Sequence, residues 1–342
     1  MEKRSGAREG VSRTVLLASI VTVVVVLIAS ALYLSLPQQR PATTVTQKLS
    51  GSIVIDGSST VYPISEAVAE AFSKIHPDVK ITVGISGTGG GFKRFVIGET
   101  DINDASRFIT ESEKESARRN NIKWIEIPIA LEGLAIAVHP SNNWVDCISL
   151  EELRMIWRPN STVKKWSDVN PQWPNADIKL FGPGPDSGTF DYFTERVVGK
   201  ARASRTDYIP SEDDHVLIMG VSSERYSLGY IPYAYVVAAE GKVKVLAVSE
   251  KKGGTCVRPN DETVISGKYP LSRPLFIYVN EDKMLQKPEL KAFVEFYIEN
   301  AEKIVRKVGY TPLPKEYYTT ILKLFREGKY TGYFEVYKSL TK

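Results

Sequence analysis

The chain has 342 residues, 43% of them hydrophobic and 25% charged, a composition that excludes a mainly disordered, collagenous or coiled-coil protein. Its formal net charge of +4 is nearly balanced, which argues against a nucleic-acid partner, and the length favours two packed units. With 2 Cys and 3 His, a thiolate zinc cluster is excluded, and we expect neither a metal nor a cofactor.

The first 36 residues predict a membrane segment that precedes the folded part of the chain. Residues 15–36 carry no charge, and a helix of that length measures about 33 Å, enough to cross a hydrocarbon layer of ~30 Å. Basic residues precede it, so the amino terminus is expected in the cytoplasm and the rest of the chain outside. We favour a retained anchor over a signal cleaved near residues 29–31, and over a buried core helix. Residues 37–50, rich in Pro, Gln and Thr, predict a linker.

The two cysteines, Cys147 and Cys256, predict one disulfide if the folded part lies outside the cytoplasm. Oxidising compartments favour the pairing of thiols. A bond that closes a loop of ~100 residues would stabilise the fold by about 4–5 kcal/mol in the chain-entropy model. Two buried free thiols are the alternative.

After the linker, short β-branched strands alternate with amphipathic helices. The predicted strands are 53–55, 80–85, 125–127, 134–138, 178–181, 243–248 and 275–279. The predicted helices are 64–75, one from about Gly91, Leu150–Trp157, one that ends at Val198, 288–308 and Lys315–Arg326. This alternation predicts α/β layers with largely parallel sheets, in which ligands bind where strands turn into helices.

Three strand-to-helix turns contain hydroxyl side chains and glycines: the first turn (residues 57–63), the second turn (86–93) and the third turn (182–190). Each turn taken alone is consistent with an ordinary Ser or Thr helix cap. Together, three helix starts with unpaired N–H groups and hydroxyl donors predict a pocket for an anion with many acceptor oxygens. Phosphate, sulfate or another small oxyanion has this chemistry.

Motifs for nucleotide binding and for catalysis are weak. The second turn lacks the Gly-Lys-Ser/Thr ending of a Walker loop and the spacing of a dinucleotide fingerprint. Ser187 is not in a Gly-x-Ser-x-Gly elbow, and His76, His139 and His215 are scattered along the chain. We therefore expect a binding protein and not an enzyme.

The three turns, together with Asp-Ala-Ser-Arg at 104–107, resemble the substrate-binding protein of the high-affinity phosphate ABC transporter over about residues 51–280. The resemblance implies an α/β, type 2 periplasmic-binding-protein fold, in which two lobes are joined by crossing strands and close on phosphate in the cleft between them. The crossings are expected near 132–133 and 272–273. Lobe 1 is then residues 51–132 with 273–342, and lobe 2 is residues 133–272.

Carried onto this sequence, the phosphate contacts of that family fall on the three turns. The resemblance implies contacts at Thr60, Val61 and Tyr62, at Thr88, and at Ser187, Gly188 and Thr189, with the backbone N–H groups of Val61 and Tyr62 as donors. We also expect Ser59, in the same turn as Thr60, to contact the phosphate.

Two positions depart from the best-known members, which have an Asp directly after the Ala-Ser pair and an Arg shortly before Ser-Gly-Thr. Here Arg107 stands in the first place, and the third turn contains Asp186 and no Arg. We expect Arg107 to supply the fixed cation of the cleft, with a surface ion pair as the alternative, and Asp186 or Asp104 to accept the proton of HPO₄²⁻. The acidic run at 211–214 is expected to be a solvated face outside the site.

The expected function is capture of inorganic phosphate and its delivery to the subunits of an ABC permease. The protein is expected on the extracytoplasmic face of the membrane, held there by its N-terminal helix, or free in the periplasm or medium if that segment is cleaved. Sulfate, molybdate or phosphonate remains open as ligand because of Arg107. Two further hypotheses are a secreted phosphatase, which would need a metal pair or an activated nucleophile, and a surface receptor or adhesin.

Overall fold

Strands and helices alternate along residues 48–340, the part of the chain that the computed structural model describes. The expected membrane segment at 15–36 lies outside these residues, as does most of the expected linker. Within 48–340, no helix combines the length and the apolar character that crossing a membrane requires.

Eleven strands are found in the described residues: β1 (Gly51–Gly57), β2 (Val79–Val83), β3 (Ile102–Ala105), β4 (Trp124–Val138), β5 (Cys147–Ser149), β6 (Lys179–Gly182), β7 (Ile209–Pro210), β8 (Ser227–Pro232), β9 (Lys244–Val245), β10 (Ala247–Ser249) and β11 (Ser272–Asn280).

The α-helices of the same residues are α1 (Tyr62–Ile75), α2 (Gly87–Phe95), α3 (Glu111–Arg119), α4 (Leu150–Trp157), α5 (Trp166–Val169), α6 (Gly188–Phe193), α7 (Asp214–Ser223), α8 (Tyr233–Ala238), α9 (Asp261–Ile265), α10 (Glu281–Gln286), α11 (Pro288–Lys307), α12 (Lys315–Arg326) and α13 (Tyr333–Leu340). Helix α6 continues as a π-helix over Thr194–Val198 and ends at Gly199, which has a positive φ of 93°.

The main sheet is mixed, with the order β2-β1-β3-β11-β4-β8-β6-β7 and with β9 beside β4. Its outer strands pair in parallel, as the sequence predicts: β1 with β2 and β3, and β6 with β7 and β8. The expectation of a largely parallel sheet is wrong for the centre, where β11 is antiparallel to β3 and β4, and β4 is antiparallel to β8 and β9. The reason is that β11, which comes late in the chain, inserts between β3 and β4 and runs in the direction opposite to both.

Strand β4 connects the two halves of this sheet. The sequence predicts two strands at 125–127 and 134–138, but Pro128 and Gly133 lie within one strand of 15 residues, with a bulge opposite Leu275 and Phe276. The first part of β4 pairs with β11 as far as Gly133, which lies opposite Ser272, and the part from Leu134 onward pairs with β8. The lobe boundaries near 132–133 and 272–273 stay a prediction.

The predicted strand at 243–248 is two short strands, because the chain changes its pairing partner within it. β9 pairs with β4, whereas β10 pairs with β5 in a separate two-stranded sheet. Beside that sheet, Cys147 and Cys256 form a disulfide, which confirms the predicted bond and excludes two free thiols.

Helix α1 shows how the amphipathic pattern places the first turn. Ile64, Val68 and Phe72 are buried, and the ring of Phe72 meets that of Phe293 on α11 edge to face, with 5.3 Å between centroids. Each such fully buried side chain contributes about 1.5–3 kcal/mol. The predicted face ends before Ile75, which is 60% exposed at the end of the helix. This packing places the start of α1 just after the carboxyl end of β1.

Helix α2 begins at Gly87 and not near Gly91, so most of the second turn is helical. A Cβ atom at residue 91 would overlap the side chain of Asn103 and the backbone of Gly57. The glycine run therefore lets the first turns of a helix pack directly on the ends of β1 and β3.

Candidate functional site

The structure brings the three turns to one place. The Thr60 hydroxyl of the first turn lies 3.3 Å from the Thr189 hydroxyl of the third turn. The backbone N–H of Gly89, in the second turn, donates to the carbonyl of Asp186 in the third turn over 3.0 Å. Segments separated by about a hundred residues thus share one buried location, as the anion-pocket hypothesis requires.

Five hydroxyl side chains meet at this location, and we call them the hydroxyl cluster: Thr60, Thr88, Ser106, Ser187 and Thr189. All five are buried. The Thr88 and Ser106 hydroxyls are 3.2 Å apart, and the Thr88 hydroxyl also accepts from the backbone N–H of Ser106 over 3.1 Å. The Ser187 hydroxyl caps α6 by accepting from the backbone N–H of Thr189. Hydroxyls can donate to an anion, as the anion-pocket hypothesis requires.

Gly188 permits the close approach of the second and third turns. A Cβ atom at this position would overlap the hydroxyl oxygens of both Thr88 and Ser106. The requirement for glycine is therefore set by packing between two turns that are far apart in the sequence, and not by the local backbone.

Arg273 is the cation of the hydroxyl cluster, and sequence reasoning missed it as a site residue. Its guanidinium donates to the Thr189 hydroxyl over 2.8 Å, to the Ser106 carbonyl over 3.0 Å and to the Gly188 carbonyl over 3.3 Å. A weaker contact of 3.4 Å reaches the Thr60 hydroxyl. The side chain is 2% exposed. The sequence feature that could have indicated it is the position of Arg273 beside the apolar run of β11. A charged residue inside a sheet needs a buried partner.

The partner of Arg273 is Glu132 on the neighbouring strand β4. The Glu132 carboxylate accepts from Nε over 3.0 Å and from Nη2 over 2.7 Å, and both side chains are buried. Burial raises the pKa of Glu132 to about 7, while the charge of Arg273 acts in the opposite direction. The ring of Tyr192 lies 5.3 Å from the guanidinium. Glu132 therefore fixes the orientation of the guanidinium, whose Nη1 and Nη2 atoms also donate to the cluster.

Ser59 connects the first turn to the acidic run at 211–214. The Ser59 hydroxyl donates to the Asp214 carboxylate over 3.1 Å, and the hydroxyl of Tyr235 donates to the Ser59 carbonyl over 2.8 Å. Asp214 is buried, and burial raises its pKa to about 8. The expectation that the whole run is a solvated face is wrong at this residue, because Asp214 is the first residue of α7 and faces inward.

The backbone N–H groups of Val61 and Tyr62 bond within the first turn. Both donate to the carbonyl of Ser58, over 3.1 Å and 3.0 Å. Val61 is buried, and the hydroxyl of Tyr62 donates to Glu66 on the next turn of α1. Their contact with an anion stays a prediction.

Arg107 lies in a different network from the hydroxyl cluster. Its guanidinium makes a two-pronged contact with Glu113, with both distances 2.9 Å, and its Nε donates to Asp191 over 2.7 Å. The side chain is 10% exposed, so the pair is not a surface ion pair. Burial raises the pKa of Asp191, and the charge of Arg107 opposes this shift. A role for Arg107 in binding the anion stays a prediction.

The two carboxylates proposed as proton acceptors have partners elsewhere. Asp186 accepts from Lys93 over 2.9 Å and is 40% exposed, so its backbone contributes to the site more directly than its side chain does. Asp104 accepts from the Ser65 hydroxyl over 2.8 Å, and burial raises its pKa to about 8. The proton-acceptor role of either residue stays a prediction.

A cavity of about 690 Å³ borders the hydroxyl cluster and is lined in part by Ser106, Arg107, Asp191, Arg273 and Phe276. It shares Ser106 and Arg273 with the site. Among residues 48–340, no group of three or more His, Cys, Asp and Glu side chains is placed to hold a metal ion.

Comparison with known proteins gives consistent matches over most of the chain. Residues 42–301 match the family model described as the PBP superfamily domain. The chain is 47% identical to Protein SphX of Synechocystis sp., over 82% of this chain and 84% of that protein. It is 38% identical to the phosphate-binding protein PstS of Staphylococcus saprophyticus, over 80% of this chain and 83% of that one.

A solved structure from Clostridium perfringens is also similar. It is a putative phosphate ABC transporter substrate-binding protein with bound phosphate, 28% identical to this chain, with a TM-score of 0.66. The match covers 77% of this chain and 100% of the other. The similarity therefore extends to the whole of that protein.

Proposed function

Since this chain belongs to the PBP superfamily, and to the family that includes Protein SphX and the phosphate-binding protein PstS, we propose that it captures inorganic phosphate and delivers it to an ABC permease. It binds and releases the anion unchanged and makes or breaks no bond. The phosphate bound in the Clostridium perfringens protein supports the identity of the ligand.

One observation carries the proposal: Arg273 on β11 contacts both Thr60 of the first turn and Thr189 of the third turn. The buried guanidinium supplies a positive charge, the surrounding hydroxyls and helix starts can supply donors, and a phosphate ion provides acceptors in all directions. An anion held there exchanges its water shell for fixed donors.

The proposed phosphate contacts are those that the sequence predicts on the three turns, with Arg273 added as the cation. We assign the cation to Arg273 because its guanidinium contacts the hydroxyls of Thr189 and Thr60, two of the predicted contacts. The guanidinium of Arg107 instead donates to Glu113, Asp191 and the Phe108 carbonyl. Ser106 and Asp214 complete the surroundings of the site. The contacts are Ser59, Thr60, Val61, Tyr62, Thr88, Ser187, Gly188 and Thr189.

The chain works by closing two lobes over the ligand. Lobe 1 is residues 51–132 with 273–342, and lobe 2 is residues 133–272, so that β4 and β11 form the crossings. Phosphate binds the closed form better than the open form and therefore shifts the population towards the closed form. The closure itself is a hinge motion of the two lobes around the ligand. The contact between Thr60 of lobe 1 and Thr189 of lobe 2 supports this arrangement.

The protein acts outside the cytoplasm, held at the membrane by residues 15–36. The uncharged length of that segment and the Cys147–Cys256 disulfide support this location. The permease recognises the closed form.

Calorimetric titration of the full chain in a mild detergent tests the proposal. We expect one phosphate to bind per chain, with no heat from sulfate or molybdate at the same concentration. Binding of sulfate or molybdate in preference to phosphate would assign the site to another oxyanion. Release of phosphate from a simple phosphomonoester, with and without zinc and magnesium, would indicate a phosphatase instead.

A further inference from the structure

Arg107 forms a largely buried ion triad with one carboxylate on each side of the proposed cleft. Glu113, at the start of α3, holds the two Nη atoms, and Asp191, on α6, accepts from Nε. The exposed fractions of the three side chains are 10% for Arg107, 18% for Glu113 and 5% for Asp191. The ring of Phe92 lies 5.4 Å from the guanidinium and covers another face of it.

The two ion pairs of the triad have different positions relative to the lobes of the proposed function, on which this inference rests. Arg107 and Glu113 are six residues apart in lobe 1, so their contact exists whether the lobes are open or closed. Asp191 is in lobe 2, 84 residues along the chain from Arg107. The Arg107–Asp191 contact therefore forms only when the lobes close.

We propose that the Arg107–Asp191 ion pair is a closure latch, which slows the release of phosphate by holding the two lobes together without contacting the anion. Glu113 presents the guanidinium of Arg107 in a fixed orientation, and closure adds Asp191 to the same planar group. In this role Arg107 and Asp191 are positioning residues.

The surroundings of Asp191 explain why the latch can open. The Asp191 Oδ1 atom, which is not used by Arg107, lies 3.6 Å from the guanidinium of Arg202 in the same lobe. When the lobes separate, Asp191 keeps a cationic neighbour, and Arg107 keeps Glu113. Neither charge is left without a partner, so within the triad opening breaks the cross-lobe contact alone.

A second ion pair between the lobes provides an internal comparison. Lys93 on α2 donates to Asp186 of the third turn over 2.9 Å, but these side chains are 71% and 40% exposed. Exposed pairs contribute little because water and salt screen them, whereas truncating one partner of a buried pair mainly raises the dissociation rate. The latch is therefore assigned to the buried pair.

The test is the phosphate dissociation rate of the full chain in detergent, measured by stopped-flow fluorescence for wild type and Asp191→Asn. Asn keeps the shape of the side chain and removes its charge. We expect dissociation to become about tenfold faster, with the affinity weaker by the same factor and the association rate unchanged. The selectivity for phosphate over sulfate should stay as in wild type. Asp191→Glu should recover part of the effect.

Two controls separate a latch from a merely structural role. Lys93→Gln, at the exposed pair, should change the dissociation rate by less than about twofold. Thermal unfolding without phosphate should be the same for Asp191→Asn and wild type, because the latch is absent from the open form. A dissociation rate unchanged in Asp191→Asn would overturn the proposal, as would an equal loss of stability with and without phosphate.

The variant Arg107→Gln distinguishes the latch from direct binding of the anion. If Arg107→Gln abolishes phosphate binding while Asp191→Asn leaves it unchanged, Arg107 is a ligand of the anion and the latch is excluded. If wild type binds no phosphate, the proposed function fails, which is a different result from failure of the latch.

Discussion

The guanidinium of Arg273 donates to the hydroxyl of Thr189 over 2.8 Å, although the two residues are 84 positions apart in the chain. Arg273 lies on β11 and Thr189 at the start of α6, so the contact links a strand to the third turn. The same guanidinium is held by Glu132 on β4. One buried ion pair between β4 and β11 therefore reaches the hydroxyls of the proposed phosphate site.

Replacing Arg273 should abolish phosphate binding. Arg273→Gln removes the guanidinium fork and leaves the Glu132 carboxylate buried without its cation, which costs about 3–5 kcal/mol of stability. Glu132→Gln is the matched control: we expect a similar loss of stability, but phosphate binding is retained because the guanidinium remains. Calorimetric titration and chemical denaturation of both variants measure these effects. Wild-type affinity in Arg273→Gln would contradict the assignment of the cation.

Adding one methyl group at Gly188 should prevent the second and third turns from meeting. In Gly188→Ala the new Cβ overlaps the hydroxyls of Thr88 and Ser106, so the closed form is strained while an open form is not. We expect phosphate affinity to fall at least about tenfold, for a strain of roughly 1–3 kcal/mol. Unfolding without phosphate should be close to wild type. Unimpaired binding in this variant would show that the turns do not close on each other.

The stability of the protein should depend on pH through Asp214. Burial raises its pKa to about 8 from an ordinary value of 3.8, so between these values the folded chain binds a proton that the unfolded chain does not. The contribution of Asp214 to the free energy of unfolding is therefore complete below a pH of about 4 and is lost as the pH rises to about 8. Denaturation curves of wild type and Asp214→Asn, recorded between pH 5 and 8, measure this dependence. The slopes of unfolding free energy against pH should differ between the two proteins by about one bound proton. Equal slopes in both proteins would contradict the prediction.

Asp104 provides the matched control for an effect of Asp214 on phosphate. Burial also raises the pKa of Asp104 to about 8, but its carboxylate bonds to Ser65, whereas that of Asp214 bonds to Ser59 in the first turn. Above a pH of about 8, ionised Asp214 should repel phosphate and weaken its binding. Asp214→Asn should remove this loss of affinity, and Asp104→Asn should keep it. A loss of phosphate binding at neutral pH in Asp104→Asn would instead support the proton-acceptor role predicted for Asp104.

Removing the disulfide should destabilise the fold without changing the site. The bond joins residues separated by 109 positions, and a loop of this size is worth about 4–5 kcal/mol in the chain-entropy model. We expect the double variant Cys147→Ser/Cys256→Ser to unfold at lower denaturant concentration, with phosphate affinity within about twofold of wild type. A stability equal to that of wild type would show that the two-stranded sheet of β5 and β10 holds this region by itself.

Much of the fold was predictable because it depends on local patterns. Helix α12 matches its predicted bounds, and Ile64, Val68 and Phe72 are buried as the 3.6-residue period requires. The centre of the sheet was not predictable in this way, because the antiparallel course of β11 depends on which strand it pairs with. Local propensity does not contain that choice, since pairing is a contact between distant segments.

By itself, the sequence determined the alternation of strands and helices, the three turns with hydroxyls and glycines, and the two cysteines available to pair. Only the tertiary structure decided which arginine lies among the hydroxyls: Arg273 does, and Arg107 lies between Glu113 and Asp191. The physical reason is that a turn is specified by residues within a few positions of one another. The surroundings of a buried charge are specified by every strand and helix that the fold packs around it.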